Sequence, residues 1–586
     1  MDLRRSKQPK QLTVFLCFCI IVYTCLPLFT DKLFDAHDIS YHLNRIEGIA
    51  AALKNGQFPV RIHPNILNDY GYANSIFYPE LFLYLPGALR ALGVNLSICY
   101  KLLVLALNAG TVCIAYFSFR RLFKSQYAAY LGTVLYGLSL YRLLCIYVRG
   151  AIGEVLAMMF LPLAALGLYE IFFGNPHKWY YLAIAFIGIL QSHIITAQLT
   201  LYVCLFAALI AFSKLIENKC RRLLAAVKAA VLTVLVNLWF IIPFFDFMRA
   251  GVKITGTDFI YWGNTINPPS ELFAFLYPVT KGMTRRENMP HSVGLVLFLL
   301  LLLFAGFCIQ KRKQPISIHE RRFYFLGKIG LLFGGIALYL STCLFPWILF
   351  KYVPLLNRIA SSIQFPWRLL SIGSAAACIT GVAVCLILRR DPKISGKFLF
   401  IAVSVCTVFT ASVLIDNYVY NAAVFGDIHL SAPVDDPSWV YDGQYSLKST
   451  DIDRLAKRGE VVVPSNSTCQ SSEITRSGGT LIVSFSVNAP SSEDYVEVPI
   501  SWYPHYEATI DGKEVKNEPG DNNVIRVYTE GRHSGTIRVK WKAPIFYRIL
   551  ECISLLVAVG YPLNRKYDFS GRLFQKRRHR KVICDV

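Results

Sequence analysis

Long apolar runs alternate with shorter polar connections along most of this chain. Runs of about 20 residues are long enough to cross a hydrocarbon core of roughly 30 Å as α-helices. The pattern predicts spans at about residues 12–29, 97–119, 126–147, 151–173, 179–195, 197–216, 223–245, 291–310, 324–344, 364–388, 398–417 and 545–563. We therefore expect a polytopic α-helical membrane protein with about 12 spans.

The polar segment 418–544 has a different pattern, in which apolar and polar residues alternate as they do in half-buried strands. Such runs lie at 481–487, 495–500, 506–510 and 536–541. The Asp511-Gly512 dipeptide between two short runs is a strong signal of a β-hairpin. We expect a transmembrane domain at 1–417 with a large first outer loop at 31–96, an extracytoplasmic β-sandwich at 418–544, and a last span with a basic tail at 545–586.

Composition and charge argue against a soluble enzyme and against a nucleic-acid partner. Of the 586 residues, 54% are hydrophobic and only 17% are charged. The net charge of +23 lies in the segments predicted to be cytoplasmic, 1–10, 119–125, 174–178, 214–222, 311–322, 389–397 and 564–586. Lys and Arg concentrate on the cytoplasmic side of membrane proteins. We therefore expect a multi-pass cell-membrane protein with both termini cytoplasmic and the large C-terminal domain outside.

The first outer loop carries the first candidate chemistry. Apolar residues at helical spacing from Ile39 to Leu53, followed by Gly56 and Pro59, predict a helix that lies in the membrane interface. Asp38, His42 and Arg45 share its polar face. A carboxylate beside an imidazole and a guanidinium suits a base that handles a phosphorylated ligand. A solvated face with a local ion pair is the alternative.

Several short stretches are similar to a known group of membrane enzymes. These are the acidic start of the first outer loop, a Gly-x-x-Pro-x-Arg stretch, an aromatic Tyr-Pro segment and two later stretches. Their residues are Asp38, His42, Arg45, Gly56, Pro59, Arg61, Gly71, Tyr72, Tyr78 and Pro79, with 364–368, 499–504 and 511–513. On these residues the chain resembles GT-C-type glycosyltransferases, and among them the bacterial YfhO-type and 6-pyruvoyl-tetrahydropterin-synthase-related membrane protein families.

The resemblance implies an inverting transferase that uses a polyprenyl-phosphate-linked sugar at the outer face. The implied acceptor is a cell-envelope polysaccharide, teichoic acid or lipid. In such enzymes a carboxylate of the first outer loop deprotonates the acceptor hydroxyl, and Asp38 is the matching position, with Asp35 as a second acid. Because Asp35 and Asp38 do not form an Asp-x-Asp pair, the resemblance leaves dependence on a divalent metal open.

Ionisable residues close to the hydrocarbon core give a second set of candidates, because such residues usually mark a functional cavity. Arg149 and Glu154 lie in the predicted hairpin between two spans. We expect Arg149 to hold the donor phosphate and Glu154 to orient Arg149 or to act as a second acid. A structural ion pair that caps a short loop is the alternative.

The remaining candidates lie at predicted span ends and in outer loops. His193, Arg368 and Arg61 are further candidates for the donor phosphate, and interfacial anchoring is the alternative for His193 and Arg368. Aromatic side chains could pack on the sugar or the prenyl chain, or simply fill the interface: Tyr72, Tyr78, Tyr261 and Trp262. The loop 246–290 is long and aromatic enough to close over the site as a lid, and its basic group at 281–286 could meet an anionic acceptor.

Two other functions stay open beside the transferase. A transporter or flippase for a lipid-linked glycan would share the polytopic architecture, although no inverted repeat is visible and the informative charges gather at one face. An assembly scaffold with a degenerate site would use the outer β-domain to bind envelope polymer. Membrane lipids are expected partners in every case.

Overall fold

The computed structural model describes residues 10–30, 33, 36–253, 267–275, 291–311, 316–318, 320–424, 443–458 and 462–567. Its helices are α1 Lys10–Thr24, α2 Ile39–Lys54, α3 Asn74–Phe77, α4 Tyr84–Ala91, α5 Leu96–Phe123, α6 Gln126–Gly137, α7 Leu140–Tyr147, α8 Ile152–Phe172, α9 Tyr180–Leu190, α10 Ile194–Ile210, α11 Phe212–Arg249, α12 Leu295–Gln310, α13 Arg321–Leu340, α14 Pro354–Ile363, α15 Leu370–Leu388, α16 Gly396–Val424, α17 Ile452–Arg458 and α18 Ile545–Tyr567. Short 3-10 helices include Pro176–Lys178 before α9 and Pro366–Leu369 before α15.

Seven helices of the described chain are long and apolar enough to cross a membrane, and the bent pair α6 and α7 raises the number to eight if it forms one span. The expected count of about twelve is not confirmed. The other predicted spans coincide with the shorter helices α1, α9, α10 and α12. The predicted spans 179–195 and 197–216 correspond to α9 and α10, which a turn at Gln191-Ser192-His193 separates and which are each too short to qualify.

Of the helices long enough to cross a membrane, α8 and α15 are the most buried in the described chain and lie at the centre of the helical part. The apolar window of α15 is entirely buried and that of α8 is 83% buried. Small residues let α13 approach α15 closely: a side chain at Gly330 would meet the carbonyl oxygen of Ala376 at 2.7 Å. Such contacts are typical of helices packed within membranes.

Helix α2 confirms the predicted helical spacing but not the predicted surroundings. Its apolar residues Ile39, Leu43 and Ile46 are buried, as the pattern indicates. The face expected to meet water is buried too, because His42 and Arg45 are only 2% and 1% exposed. The helix therefore lies inside the folded outer loop, and its polar side chains contact protein.

The C-terminal region forms two antiparallel sheets from β1 Val463–Pro464, β2 Gln470–Ser471, β3 Thr475–Ser477, β4 Thr480–Ser486, β5 Tyr495–Ser501, β6 Tyr506–Ile510, β7 Lys513–Val515, β8 Asn517–Pro519, β9 Val524–Tyr528 and β10 Ser534–Trp541. One sheet has the order β1-β5-β9-β8 and the other β2-β4-β10-β6-β7, with β3 also paired to β4. Asp511 and Gly512 connect β6 to β7, with Ile510 opposite Lys513. Apolar residues of both sheets share one core, as in a sandwich.

The sandwich packs on the first outer loop and on the ends of α11 and α18. The Ser501 N–H donates a 2.7 Å hydrogen bond to the Tyr70 carbonyl oxygen. Oδ2 of Asp246, in the last turns of α11, lies 2.7 Å from Nε2 of His505 and accepts a 2.6 Å hydrogen bond from the Tyr547 hydroxyl. The outer loop and the sandwich therefore lie at the same end of the helical part.

Candidate active site

The site is built on the turn between α7 and α8. Gly150 has a positive φ of 62°, and a side chain there would meet the main-chain nitrogen of Ile39 at 3.0 Å. This close approach allows the carbonyl oxygens of Val148 and Arg149 to accept hydrogen bonds of 3.1 and 2.8 Å from the N–H groups of His37 and Asp38. The turn therefore fixes the start of α2 against the start of α8.

A buried ion pair spans this turn. Arg149 Nη1 lies 2.7 Å from Oε2 of Glu154, and both side chains are almost fully buried. The hydroxyl of Tyr141 donates a 2.7 Å hydrogen bond to the other oxygen, Oε1. Glu154 is in the first turn of α8, where the helix dipole also favours negative charge. Both carboxylate oxygens are thus occupied, which makes Glu154 better suited to holding Arg149 than to accepting a substrate proton.

A second guanidinium, that of Arg368, approaches the same carboxylate. Its Nε lies 4.0 Å from Oε2 of Glu154, and its side chain is 11% exposed. Nε and Nη1 are buried and have no hydrogen-bond partner among the described residues. Buried polar groups of native proteins are nearly always paired, and guanidinium donors pair best with carboxylates or phosphates. Arg149 and Arg368 both approach the carboxylate of Glu154, and Arg368 keeps donors without a partner among the described residues. These donors could bind an additional anion.

Aromatic rings hold the arginines in place. The Arg149 guanidinium carbon lies 4.1 Å from the ring centroid of Trp367, and that ring stacks on His291 at 4.4 Å and on Phe365 at 4.8 Å. A cation over an indole face is an attractive arrangement. Sequence reasoning placed Trp367 within the stretch 364–368 that carries the family resemblance and missed His291. Only the fold brings His291 to the start of α15.

Asp38 lies beside this cluster. It is half-buried at the N-terminus of α2, and its charge acts on both Arg149 and Tyr78. Tyr78 reaches the start of α8 because Gly153 has no side chain: a Cβ there would lie 2.2 Å from the Tyr78 hydroxyl oxygen. Burial raises the pKa of the Tyr78 phenol, so the hydroxyl keeps its proton and can donate.

His42 and Arg45 are engaged within the loop. Arg45 donates to Glu80 at 2.9 Å, to the Pro79 carbonyl oxygen at 2.8 Å and to Nδ1 of His42 at 3.1 Å. Burial and the neighbouring Arg45 charge lower the pKa of His42 well below 6.5, so the ring is neutral at neutral pH. The predicted role of both residues in phosphate binding is therefore less favoured than that of Arg149 and Arg368.

Glu80 is a second residue that sequence reasoning missed. Besides Arg45, its carboxylate accepts a hydrogen bond of 2.6 Å from Asn74 and one from Ser75, and it lies 3.0 Å from Nε2 of His63. Burial acts to raise the pKa of Glu80, but attraction to His63 and Arg45 outweighs it and lowers the pKa to about 2. The only sequence signal was its position directly after Tyr78-Pro79.

The other predicted site residues fall into four groups. His193 lies at the edge of the cluster, where Nδ1 accepts a hydrogen bond from the Thr196 N–H at 3.3 Å and the ring lies 6.0 Å from that of Tyr78. Arg61 is elsewhere, 2.9 Å from the Trp239 carbonyl oxygen and 2.8 Å from Glu551. Tyr72 is buried between the outer loop and the sandwich. Asp35, Tyr261, Trp262 and the basic group at 281–286 lie outside the described residues.

The described residues hold no group of three or more His, Cys, Asp and Glu side chains that could bind a metal ion. Asp35, the candidate second acid, lies outside the described residues. The guanidiniums of Arg149 and Arg368 are cationic groups at the site.

No protein-family model and no curated protein matches this chain. Among solved structures, an arabinofuranosyltransferase AftD from mycobacteria is similar at 15% identity and a TM-score of 0.38, over 70% of this chain and 28% of that one. The Archaeoglobus fulgidus oligosaccharyltransferase in its apo form is similar at 11% identity and a TM-score of 0.38, over 77% of this chain and 61% of that one. The ArnT of Cupriavidus metallidurans bound to undecaprenyl phosphate gives 11% identity and a TM-score of 0.28, over 71% and 80%.

The first two are an arabinofuranosyltransferase and an oligosaccharyltransferase by description, and the chain spans less than two thirds of each. At such identities and TM-scores the likeness is too low to establish fold or function by itself. The finer resemblance to the YfhO-type families is not confirmed.

Proposed function

We propose that this protein is an integral membrane glycosyltransferase that moves a sugar from a polyprenyl-phosphate-linked donor to an extracytoplasmic acceptor of the cell envelope. The observation that carries the proposal is the arrangement of Arg149 and Arg368 around Glu154, directly beside Asp38. Two buried guanidiniums, of which Arg368 has donors without a partner among the described residues, suit a phosphate leaving group, and the half-buried carboxylate beside them suits a base.

In the proposed step, the acceptor hydroxyl oxygen attacks the anomeric carbon and forms the new glycosidic bond. The bond between that carbon and the phosphate oxygen breaks, and its electron pair leaves with the polyprenyl phosphate. The hydroxyl proton passes to the carboxylate of Asp38. Attack opposite to the leaving phosphate inverts the anomeric configuration, and neither an oxidant nor a reductant is needed.

Arg149 and Arg368 would contact the phosphate oxygens, on which negative charge increases as the bond breaks. Glu154 acts in this proposal as a positioning residue, because both of its oxygens already accept from Arg149 and Tyr141. Tyr78, 6.0 Å from the His193 ring and held over Arg45, would border the sugar. The acceptor is proposed as a polysaccharide, a teichoic acid or a lipid.

Purified full-length protein in nanodiscs tests the proposal. A panel of undecaprenyl-phosphate hexoses and pentoses is supplied with envelope glycan and lipid extracts, and released undecaprenyl phosphate and acceptor-bound sugar are both measured. Asp38→Asn should reduce turnover by about 10²–10⁴-fold, the usual effect of losing a general base. Asp453→Asn, on the exposed face of α17, is the matched control.

Donor binding separates the proposed functions. Asp38→Asn should still bind undecaprenyl phosphate, because the arginines are unchanged. Normal turnover in a folded Asp38→Asn variant would refute the catalytic role. If the wild-type protein moves intact lipid-linked glycan across the membrane and releases no sugar from its phosphate, the protein is a flippase and not a transferase.

A further inference from the structure

A groove runs between α11 and α18 on the side of the helical part away from the sandwich. Its volume is about 500 Å³, within the range of roughly 300–1,000 Å³ that small-molecule sites occupy. Val231 and Leu235 of α11 form one wall, and Leu556 and Val557 of α18 form the other. Both helices are candidate membrane spans. An apolar groove between two spans suits a hydrocarbon chain.

Gly560 makes room for that chain. It lies in α18 and lines the groove, and a side chain at this position would meet nothing within 4 Å. The space beside it is therefore empty of protein. A larger residue at this position would enter the groove without displacing the neighbouring helix.

One end of the groove is polar and basic. Lys228 and Asn564 line it there, and Trp179 stands against Tyr561 with 5.5 Å between the ring centroids. Arg565 follows directly and lies over the Tyr180 ring at 3.3 Å. Tryptophan and tyrosine side chains collect at the level of lipid headgroups, and a lysine stem can extend along a span to bring its ammonium there.

The cations at this end are not neutralised by the described part of the chain. Among the described residues Lys228 and Arg565 form no ion pair, whereas Glu170 of α8 pairs with Lys178 at 3.0 Å and Glu217 of α11 pairs with Lys214 at 2.7 Å. An acidic headgroup would complement them, and a zwitterionic headgroup would do so less well.

The basic end is far from the candidate active site. Lys228 and Asp246 are separated by 18 residues of α11, about 27 Å at 1.5 Å per residue. Asp246 is the residue that contacts the sandwich and the start of α18. A lipid with its phosphate at Lys228 would therefore lie about one hydrocarbon thickness away from the end of α11 that meets the sandwich, and the sandwich also packs on the first outer loop.

We propose that this groove binds a phospholipid with an acidic headgroup, with one acyl chain between α11 and α18 and the phosphate at Lys228 and Arg565. The site goes beyond the proposed transferase function and is independent of it.

Native mass spectrometry of the full-length protein tests this, with dioleoyl phosphatidylglycerol and dioleoyl phosphatidylcholine as probes. The wild-type protein should retain one phosphatidylglycerol with higher affinity than phosphatidylcholine. Lys228→Gln and Arg565→Gln should each weaken phosphatidylglycerol binding by about fivefold, the effect of one basic residue at an anionic headgroup. Lys328→Gln, an exposed lysine of span α13, should have no effect.

Gly560→Leu should abolish binding of the retained lipid, while Gly335→Leu, also beside open space but in α13, should not. Equal affinity for the two lipids in the wild type would overturn the proposal, as would retention that is unchanged in Gly560→Leu. Undecaprenyl phosphate provides the last comparison. If it displaces phosphatidylglycerol and is itself lost in Gly560→Leu, the groove belongs to the donor and the proposal is wrong.

Discussion

The main-chain N–H of Asp38 donates a 2.8 Å hydrogen bond to the carbonyl oxygen of Arg149. This bond joins the start of the outer-loop helix α2 to the turn before α8. The main chains of the candidate base and of a candidate phosphate ligand are thereby held side by side. Rigid placement of this kind is what proximity effects in catalysis require.

Arg368→Gln should weaken binding of undecaprenyl phosphate by about 10–100-fold, because a hydrogen bond to a charged group contributes roughly 1.5–3 kcal/mol. Arg368→Lys should show an intermediate loss, since it keeps the charge but not the planar set of donors. Binding is measured by microscale thermophoresis on purified protein. Arg454→Gln is the control, because Arg454 forms an exposed ion pair with Asp521. Equal affinity in Arg368→Gln and wild type would contradict the phosphate role.

Gly153→Ala should lower the free energy of unfolding by about 1–3 kcal/mol, as other over-packed substitutions do. The new Cβ would lie 2.2 Å from the Tyr78 hydroxyl oxygen, so Tyr78 must move away from α8. Thermal unfolding of the purified protein gives the measurement. Adding Tyr78→Phe should restore part of the loss by removing that oxygen. Gly335→Ala, where a Cβ meets nothing within 4 Å, should cause no loss.

Glu80→Gln should destabilise the first outer loop by about 3–5 kcal/mol, because it leaves Arg45 buried without its anion. The pH dependence has a definite sign. The folded-state pKa of about 2 lies below the ordinary value of 4.5, so the ionised carboxylate stabilises the fold above about pH 4.5. That contribution, roughly 3 kcal/mol, is lost as pH falls from 4.5 towards 2.

Unfolding of wild type and Glu80→Gln at a series of pH values measures this difference. The gap in stability between the two should be constant near neutral pH and shrink below pH 4.5. Glu473→Gln, an exposed glutamate of the sandwich, serves as the control. A gap that stays constant down to pH 2 would contradict the assigned pKa shift of Glu80.

Asp246→Ala should loosen the sandwich from the helical part, because Asp246 is contacted by His505 of the sandwich and Tyr547 of α18. The expected loss is about 1–3 kcal/mol, the penalty for leaving partners unsatisfied. A double-mutant cycle with His505→Ala should give a coupling energy of about 0.5–3 kcal/mol. Additive effects of the two substitutions would show that this contact does not hold the domains together.

The sequence by itself determined the local elements. Apolar runs located the helices, alternation located β4, β5, β6 and β10, and the Asp511-Gly512 dipeptide located the hairpin between β6 and β7. These features depend on neighbours along the chain, so periodicity is enough to find them. The same signal predicted about twelve spans, a count that is not confirmed, because seven helices of the described chain, or eight with α6 and α7 as one span, are long and apolar enough to cross.

Tertiary structure alone decided which polar groups meet. Periodicity placed His42 and Arg45 on one face of α2, but only the folded loop covers that face and gives Arg45 its partner Glu80. Likewise, Arg368 reaches Glu154 because α15 packs beside α8, a relationship between segments far apart in the chain. A pattern fixes the direction of a side chain relative to its own helix. What lies opposite is fixed by helix packing, and the charges at this site depend on that packing.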